Sequence, residues 1–289
     1  MLKILRDLFA KGPKADDDGK VTLADVLDND WFELFYQPKI DLKTMRLVGA
    51  EALVRARHPT RGVLPPGVFL PGAGEEEMLA LTERVIITAL RDWELCADNG
   101  VSMKLAVNVP VSALVKLPIA DILREERPRS SNWPGLIMEV TEDEIIHDLK
   151  IANDVAEALR TYNCSLALDD FGAGYSSLAR LKQLPFSELK IDRSYVTNCH
   201  VDRVTAGLCE TIVELAKRFG LKTIAEGIET THESHKLQAV GCHVGQGYLF
   251  AKPMSKTQLI GILRRRLMGS SEKAPPRKTG LLAGLTAKG

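Results

Sequence analysis

Asp169 and Asp170 stand side by side after a short apolar run, Ser165-Leu166-Ala167-Leu168, and Phe171-Gly172-Ala173-Gly174 follows them. Adjacent carboxylates repel each other, so a buried pair calls for a cation. A strand that delivers such a pair into a glycine-containing loop suits a shared divalent metal; a solvated Asp-Asp turn is the plain alternative. Other polar residues recur near the ends of other apolar runs: Glu51, Asn108, Glu139, Lys190, Glu226 and Gln246. Glu51, Glu139, Asp169, Asp170 and Glu226 carry five negative charges, and Asn108 adds a neutral oxygen. An all-oxygen set fits hard cations, Mg²⁺ or Mn²⁺, rather than zinc. Two such ions bring four positive charges and Lys190 a fifth, so the charges cancel. A two-metal site of this kind activates water and steadies the leaving oxygen in phosphate-ester hydrolysis. Asp169 is the natural bridge, with Asp170 on the second metal.

The elements that must position these residues alternate strand and helix patterns from about residue 21 to 267. Strands are predicted at Glu33–Pro38, Arg46–Arg55, Met103–Val109, Leu136–Val140, Ser165–Asp169, Ser187–Ile191, Lys222–Glu226 and Val244–Phe250. Helical patterns cover Glu76–Ala97, Ile151–Tyr162, Thr205–Phe219 and His232–Val240. Eight strands with helical crossovers predict a closed α/β barrel of the TIM type. Only Asp41–Met45 separates the first two strands. That is too short for a crossover helix, so one strand should run antiparallel. An open doubly wound sheet is the competing fold, and no G-x-G-x-x-G supports it. Strand side chains alternate between faces. Val107 and Val109 then oppose Asn108, Met138 and Val140 oppose Glu139, Leu189 and Ile191 oppose Lys190, and Thr223 and Ala225 oppose Glu226. Glu51, Leu53 and Arg55 share a face, as do Val244, Gln246 and Tyr248. One inward charge would be a costly defect; several converging on one barrel mouth read as a site.

Lys plus Arg equals Asp plus Glu, 38 each in 289 residues, which gives no sign of attraction to a nucleic acid polymer. The five cysteines are scattered and odd in number, which fits reduced thiols and a cytoplasmic location. No apolar run is long enough to span a bilayer. Residues 1–20 read as an amphipathic segment, with Met1, Ile4, Leu5 and Leu8 on one stripe, followed by a polar linker. Residues 1–12 could meet a regulatory protein or a membrane surface, or pack on their own domain. With little chain before residue 21, regulation is expected through that segment, a dimer contact or a separate partner. Residues 268–289 are rich in Ser, Lys, Pro and Gly and are expected to form a disordered tail. The run Glu75–Glu77 reads as a solvated helix start, and Trp31, Trp93 and Trp133 as core or rim packing.

The spelling of these runs is specific. Glu51-Ala52-Leu53-Val54-Arg55 follows Tyr36-Gln37-Pro38 and precedes His58-Pro59. Val107-Asn108-Val109, Glu139-Val140-Thr141-Glu142, residues 169–178, Lys190-Ile191-Asp192, Ala225-Glu226-Gly227-Ile228-Glu229 and Gln246-Gly247-Tyr248-Leu249-Phe250 come next in order. Together, over about residues 21–267, they resemble the EAL-domain phosphodiesterases, which hydrolyse the bacterial second messenger cyclic di-GMP. The resemblance implies a modified TIM barrel with one antiparallel strand. It implies two Mg²⁺ or Mn²⁺ ions on Glu51, Asn108, Glu139, Asp169, Asp170 and Glu226. Lys190 would position or activate the attacking water, with Gln246 near that water or the second metal; Glu51 and Glu226 would share in catalysis. Gln37, Leu53 and Arg55 would contact substrate, Arg55 toward phosphate. Glu142, Phe171 and Gly172 would support a loop over 171–178 that joins the second metal to a homodimer contact. The implied reaction is in-line attack of activated water on one phosphodiester, giving linear 5′-pGpG. A silent cyclic di-GMP receptor or a protein-interaction domain is the alternative, since some members of the family only bind; the complete ligand set favours the enzyme. Ala56, His243 and residues 72–77 depart from the family pattern, and none of them is a metal ligand.

Overall fold

The computed structural model describes residues 19–141, 149–171 and 185–271. The described strands are β1 (Phe32–Asp41), β2 (Leu47–His58), β3 (Gly62–Leu64), β4 (Lys104–Asn108), β5 (Leu136–Thr141), β6 (Ser165–Phe171), β7 (Phe186–Ile191), β8 (Lys222–Ala225), β9 (Val244–Gly245) and β10 (Met254–Ser255). The described helices are α1 (Leu23–Asp28), α2 (Pro66–Phe69), α3 (Glu75–Asp98), α4 (Val111–Lys116), α5 (Ile119–Glu126), α6 (Leu149–Thr161), α7 (Arg193–Val196), α8 (Arg203–Arg218), α9 (Thr231–Ala239) and α10 (Lys256–Ser271).

The sheet closes. Its order runs β1-β9-β8-β7-β6-β5-β4-β2, and β2 pairs back onto β1; β10 and β3 hang on as short extra strands. From β2 through β9 the barrel pairs are parallel, while β1 is antiparallel to both β2 and β9. The short Asp41–Met45 join is therefore a hairpin, with Ile40 opposite Leu47. Closure rules out the open sheet.

The apolar alternation built this barrel. Val107, Val109, Met138, Val140, Leu166, Leu168, Leu189 and Ile191 are buried in the layer between strands and helices. Ala106, Ile137 and Ala167, one residue out of phase, form a separate small cluster inside. The helices begin where their caps dictate. Thr22 and Asp25 cap each other at α1, and Thr230 and Glu233 do so at α9. Asp202 accepts from Thr205 N at 2.7 Å to start α8. At α3, Glu77 Oε2 accepts from Gly74 N at 2.7 Å, so the glutamate run is a helix start. One face of α3, from Leu81 through Val85, Ile86, Ala89, Leu90 and Trp93 to Cys96, is buried. Trp93 and Trp133 are buried in the core, and Trp31 packs against it.

Three expectations need correction. The last barrel strand stops at Gly245, not Phe250. Beyond it Gln246 N bonds Ala225 O, and the chain folds over Ile228, whose N–H reaches Gln246 O. A Cβ on Gly247 would stand 2.1 Å from Ile228 O, so that crossing admits only glycine. Strand alternation fails there: Gln246 is buried while Tyr248 is 52% exposed. Second, β8 ends at Ala225, leaving Glu226 just past the strand. Third, α10 runs to Ser271, into the span expected as tail; apolar residues recur at helical spacing through Leu267 and no proline intervenes before Pro275. The amphipathic stripe of residues 1–12 and the rest of the tail lie outside the described residues.

Candidate active site

The inward residues at the carboxyl ends of the parallel strands meet around one lysine. Lys190, near the end of β7, is 1% exposed. Its Nζ lies 2.7 Å from Glu139 Oε2 on β5, 2.7 Å from Glu226 Oε1 after β8, 3.1 Å from Asp169 Oδ1 on β6 and 3.7 Å from Glu51 Oε1 on β2. Asn108, at the end of β4, donates to Glu51 Oε1 at 2.7 Å. Gln246 Nε2 donates to Glu51 Oε2 at 2.5 Å and to Gln37 Oε1 at 3.1 Å, and Gln37 in turn donates to Ala251 O. The sequence-derived candidates Gln37, Glu51, Asn108, Glu139, Asp169, Lys190, Glu226 and Gln246 thus form one contiguous group.

The two aspartates pose a geometric problem, because adjacent strand residues face opposite ways. The chain solves it locally. Asp170 has φ +56, the left-handed region that a non-glycine residue seldom occupies. The β6–β7 register breaks between Leu168 and Phe171, and Asp170 N donates to Asp169 Oδ1 at 2.9 Å. As a result Asp169, Asp170 and Glu226 each place a carboxylate oxygen within 4.8 Å of the others.

The electrostatics follow from four acids sharing one ammonium. Burial pushes Glu226 well above the usual carboxylate range, and pushes Glu51 and Asp169 up as well, with Lys190 opposing. Burial would also raise Glu139, but Lys190 and Lys39 outweigh it and hold that carboxyl down at about 2. Burial opposes the charge on Lys190, and the surrounding acids reverse the effect, raising it well above an ordinary lysine.

These residues fit divalent cations. Every candidate ligand is an oxygen, the three clustered carboxylates exceed what one lysine neutralises, and two inward oxygens, Thr141 Oγ1 and Gln246 Oε1, are buried without a hydrogen-bond partner among the described residues. Asp169, Asp170 and Glu226 form a group that could hold such an ion.

Arg55 is half-buried, donates to Val54 O at 2.7 Å and sits over the Phe35 ring at 5.9 Å. Leu53, half-buried, faces Phe35 across the β1–β2 pair. Phe171 is buried at the end of β6. Glu142 and Gly172 lie outside the described residues. Of the departures from the family pattern, Ala56 is fully buried, and His243 is turned to the strand starts: its Nδ1 lies 3.1 Å from Thr223 N and 2.8 Å from Thr223 Oγ1. Sequence reading missed Thr141, Lys39 and Glu188. Lys39 is buried on β1, its Nζ 2.5 Å from Glu139 Oε1. Strand parity with Gln37 was the signal that could have found it, had the first strand been carried past Pro38.

The EAL domain family model matches residues 20–253. The chain belongs to the EAL-domain family. It is 36% identical over 236 residues to the cyclic di-GMP phosphodiesterase PA2567 of Pseudomonas aeruginosa, covering 81% of this chain and 40% of that one. With the cyclic di-GMP phosphodiesterase RocR of the same organism it is 36% identical over 244 residues, covering 83% of this chain and 62% of RocR. The EAL chain therefore spans well under the full length of these relatives. Among solved structures, the MucR phosphodiesterase in complex with c-di-GMP superimposes with a TM-score of 0.75 at 36% identity, over 82% of this chain and 97% of that one. The Klebsiella pneumoniae BlrP1 complex with manganese and the cyclic dinucleotide gives 0.66 at 28% identity, over 78% of this chain and 56% of that one. The barrel closed by an antiparallel β1 is thus the EAL form of the TIM barrel. No described helix is long and apolar enough to cross a membrane.

Proposed function

We propose that this chain hydrolyses cyclic di-GMP to linear 5′-pGpG with two bound Mg²⁺ or Mn²⁺ ions, as one phosphodiesterase domain over residues 21–267. One observation carries the reading: Glu51, Glu139, Asp169 and Glu226 converge on buried Lys190, with Asp170 clustered beside Asp169 and Glu226 and Asn108 bonded to Glu51. The relatives named as cyclic di-GMP phosphodiesterases support the substrate, and a relative complexed with manganese supports the cation.

When bound, the ions would lower the pKa of water and polarise the phosphate. Glu51, Asn108, Glu139, Asp169, Asp170 and Glu226 would hold them. Lys190 orders the carboxylates toward one centre and supplies a fixed charge beside the reacting phosphate. Gln246, anchored by Glu51 and Gln37, keeps an Oε1 without a hydrogen-bond partner among the described residues, which would accept a hydrogen bond from the attacking water. Arg55, near Glu51 and Tyr248, offers its guanidinium to a substrate phosphate.

Purified protein incubated with cyclic di-GMP and Mn²⁺ or Mg²⁺, followed by separation of products, tests this. Wild type should give pGpG, chelator should stop it, and Glu51→Ala should abolish it. Binding of the nucleotide without turnover would make the chain a receptor instead.

A further inference from the structure

We propose that Lys39 is a positioning residue of this site, a role that rests on the metal-dependent reading above. From the barrel floor it holds one oxygen of Glu139, leaves the other turned to the mouth, and by its charge limits how tightly the acidic ring grips a cation.

The placement comes from β1 and β2. Gln37 lies opposite Glu51, and Lys39 lies opposite Gly49, one layer deeper in the barrel. The Lys39 side chain passes over Gly49, whose Cβ position lies 4.0 Å from Lys39 Cδ; glycine there is required by the neighbouring strand, since a Cβ would come 2.7 Å from Lys104 O. Lys39 is 4% exposed and the Glu139 side chain is fully buried. Lys39 takes Oε1 at 2.5 Å while Lys190 takes Oε2 at 2.7 Å. The two lysines therefore fix both torsional ends of one carboxylate, and only Oε2 faces the other acids. A second acid, Glu188 on β7, acts on Lys39 from the same floor, and its buried Oε2 has no hydrogen-bond partner among the described residues. Lys39 is thus a fixed cation between an acid that belongs to the site and one that does not.

A purely structural ion pair and a positioning cation predict opposite signs. Loss of a structural pair loosens the ring and weakens metal binding. Loss of a nearby positive charge strengthens it, because two cations buried close together repel, and for Lys39 this gain outweighs the loosening of Glu139, whose Oε2 Lys190 still holds. The test uses the full chain, stripped of metal, as wild type, Lys39→Met and Lys39→Gln, with Mn²⁺ binding read by calorimetry and folding by circular dichroism. Both variants should bind Mn²⁺ more tightly, by about tenfold or more. With cyclic di-GMP as substrate, kcat of Lys39→Met should fall by about tenfold or more while KM stays within about twofold, because a misplaced ligand is costly. Lys39→Gln can still donate to Oε1 and should keep more of kcat; it also carries the test if Lys39→Met does not fold. Unchanged or weaker Mn²⁺ binding in the folded variants overturns the proposal. Wild type that binds Mn²⁺ without hydrolysis overturns the phosphodiesterase reading alone, and the sign of the Mn²⁺ shift still decides for Lys39. Wild type that binds no Mn²⁺ overturns both.

Discussion

Replacing Lys190 by Met tests the central feature of the site, one ammonium shared by four acids. The substitution keeps most of the volume and removes the charge. Lys190 is 1% exposed, and carboxylate oxygens stand 2.7, 2.7, 3.1 and 3.7 Å from its Nζ. Removing both ions of a buried pair is often tolerated. Removing one, so that its partners stay charged and buried, costs about 3–5 kcal/mol. Glu139 keeps Lys39, but Glu226, Asp169 and Glu51 lose the one lysine that their carboxylates approach within 4 Å among the described residues. In chelator at neutral pH the variant should therefore lose about 3–5 kcal/mol, or roughly 6–20 °C in melting temperature for a domain of this size. The loss should shrink as pH falls. Burial already raises the pKa of Glu226, Asp169 and Glu51, so these groups protonate early in acid and no longer need the lysine. Activity should drop by about 10²–10⁴-fold, the range for a positioned charge or proton-transfer group. Thermal melts in chelator at neutral and mildly acidic pH, with product separation after incubation with cyclic di-GMP, measure both effects. A variant that melts within about 2 °C of wild type in chelator at neutral pH would refute the sharing argument.

Glu233→Gln should destabilise by about 2 kcal/mol, because its carboxylate accepts from the backbone N–H groups of Asn198, Glu229 and Thr230, each at 3.0 Å. Burial alone would raise that carboxyl, but those donors outweigh it and the pKa is lowered, so its contribution is complete above the ordinary glutamate range and is lost as pH falls through the lowered value. Chemical denaturation of wild type and variant should show the gap closing in acid. Gly247→Ala should fail to fold stably or lose at least about 3 kcal/mol, since the new Cβ meets Ile228 O at 2.1 Å and N at 2.3 Å, both backbone; a soluble variant with wild-type melting would contradict that packing. Tyr36→Phe removes the hydroxyl that donates to Asp92 Oδ2 at 2.6 Å but leaves Lys256 on Oδ1. It should cost about 1–2 kcal/mol in a urea titration without changing KM.

Most of the site was legible because the barrel obeys period two. Asn108, Glu139, Lys190 and Glu51 each oppose buried apolar neighbours, and that contrast is visible in the sequence alone. What alternation could not give is any place where the backbone leaves the strand. Asp170 joins Asp169 through a left-handed turn and a register break, neither of which the spelling Asp-Asp encodes. Gln246 enters the site from a short β9 that ends one residue earlier, held by Ala225 and Ile228 rather than by a ladder. The short helices α4 and α5 and strands β3 and β10 were missed for a related reason: two to eight residues carry too little period to stand out. Lys39 was hidden by Pro38, which reads as a strand terminus although β1 continues to Asp41 through it; a proline in a barrel strand is tolerated where no ladder donor is required.

The residues that were missed also bear on the charge argument for two cations. The sequence count set five acids against one lysine and two divalent ions, and it closed at zero. The barrel interior adds Lys39, with one positive charge, and Glu188, with one negative charge, on the same floor. Both errors were real and they cancel, so the formal sum still closes only with four further positive charges. Without them, the group Glu51, Glu139, Glu188, Asp169, Asp170 and Glu226 faces two lysines. Burial raises Glu51, Asp169 and Glu226, and the neighbouring acids add to it; Lys190 opposes the rise at all three, and Lys39 does so at Glu51. Glu139, gripped by both lysines, is held low. A divalent ion would therefore gain most at the Asp169, Asp170 and Glu226 end of the ring, where the carboxylates are closest and the lysine charge is most divided. At the Glu139 end Lys39 has already taken part of the available negative charge, so the two ends of one acidic ring would bind cations with different strength.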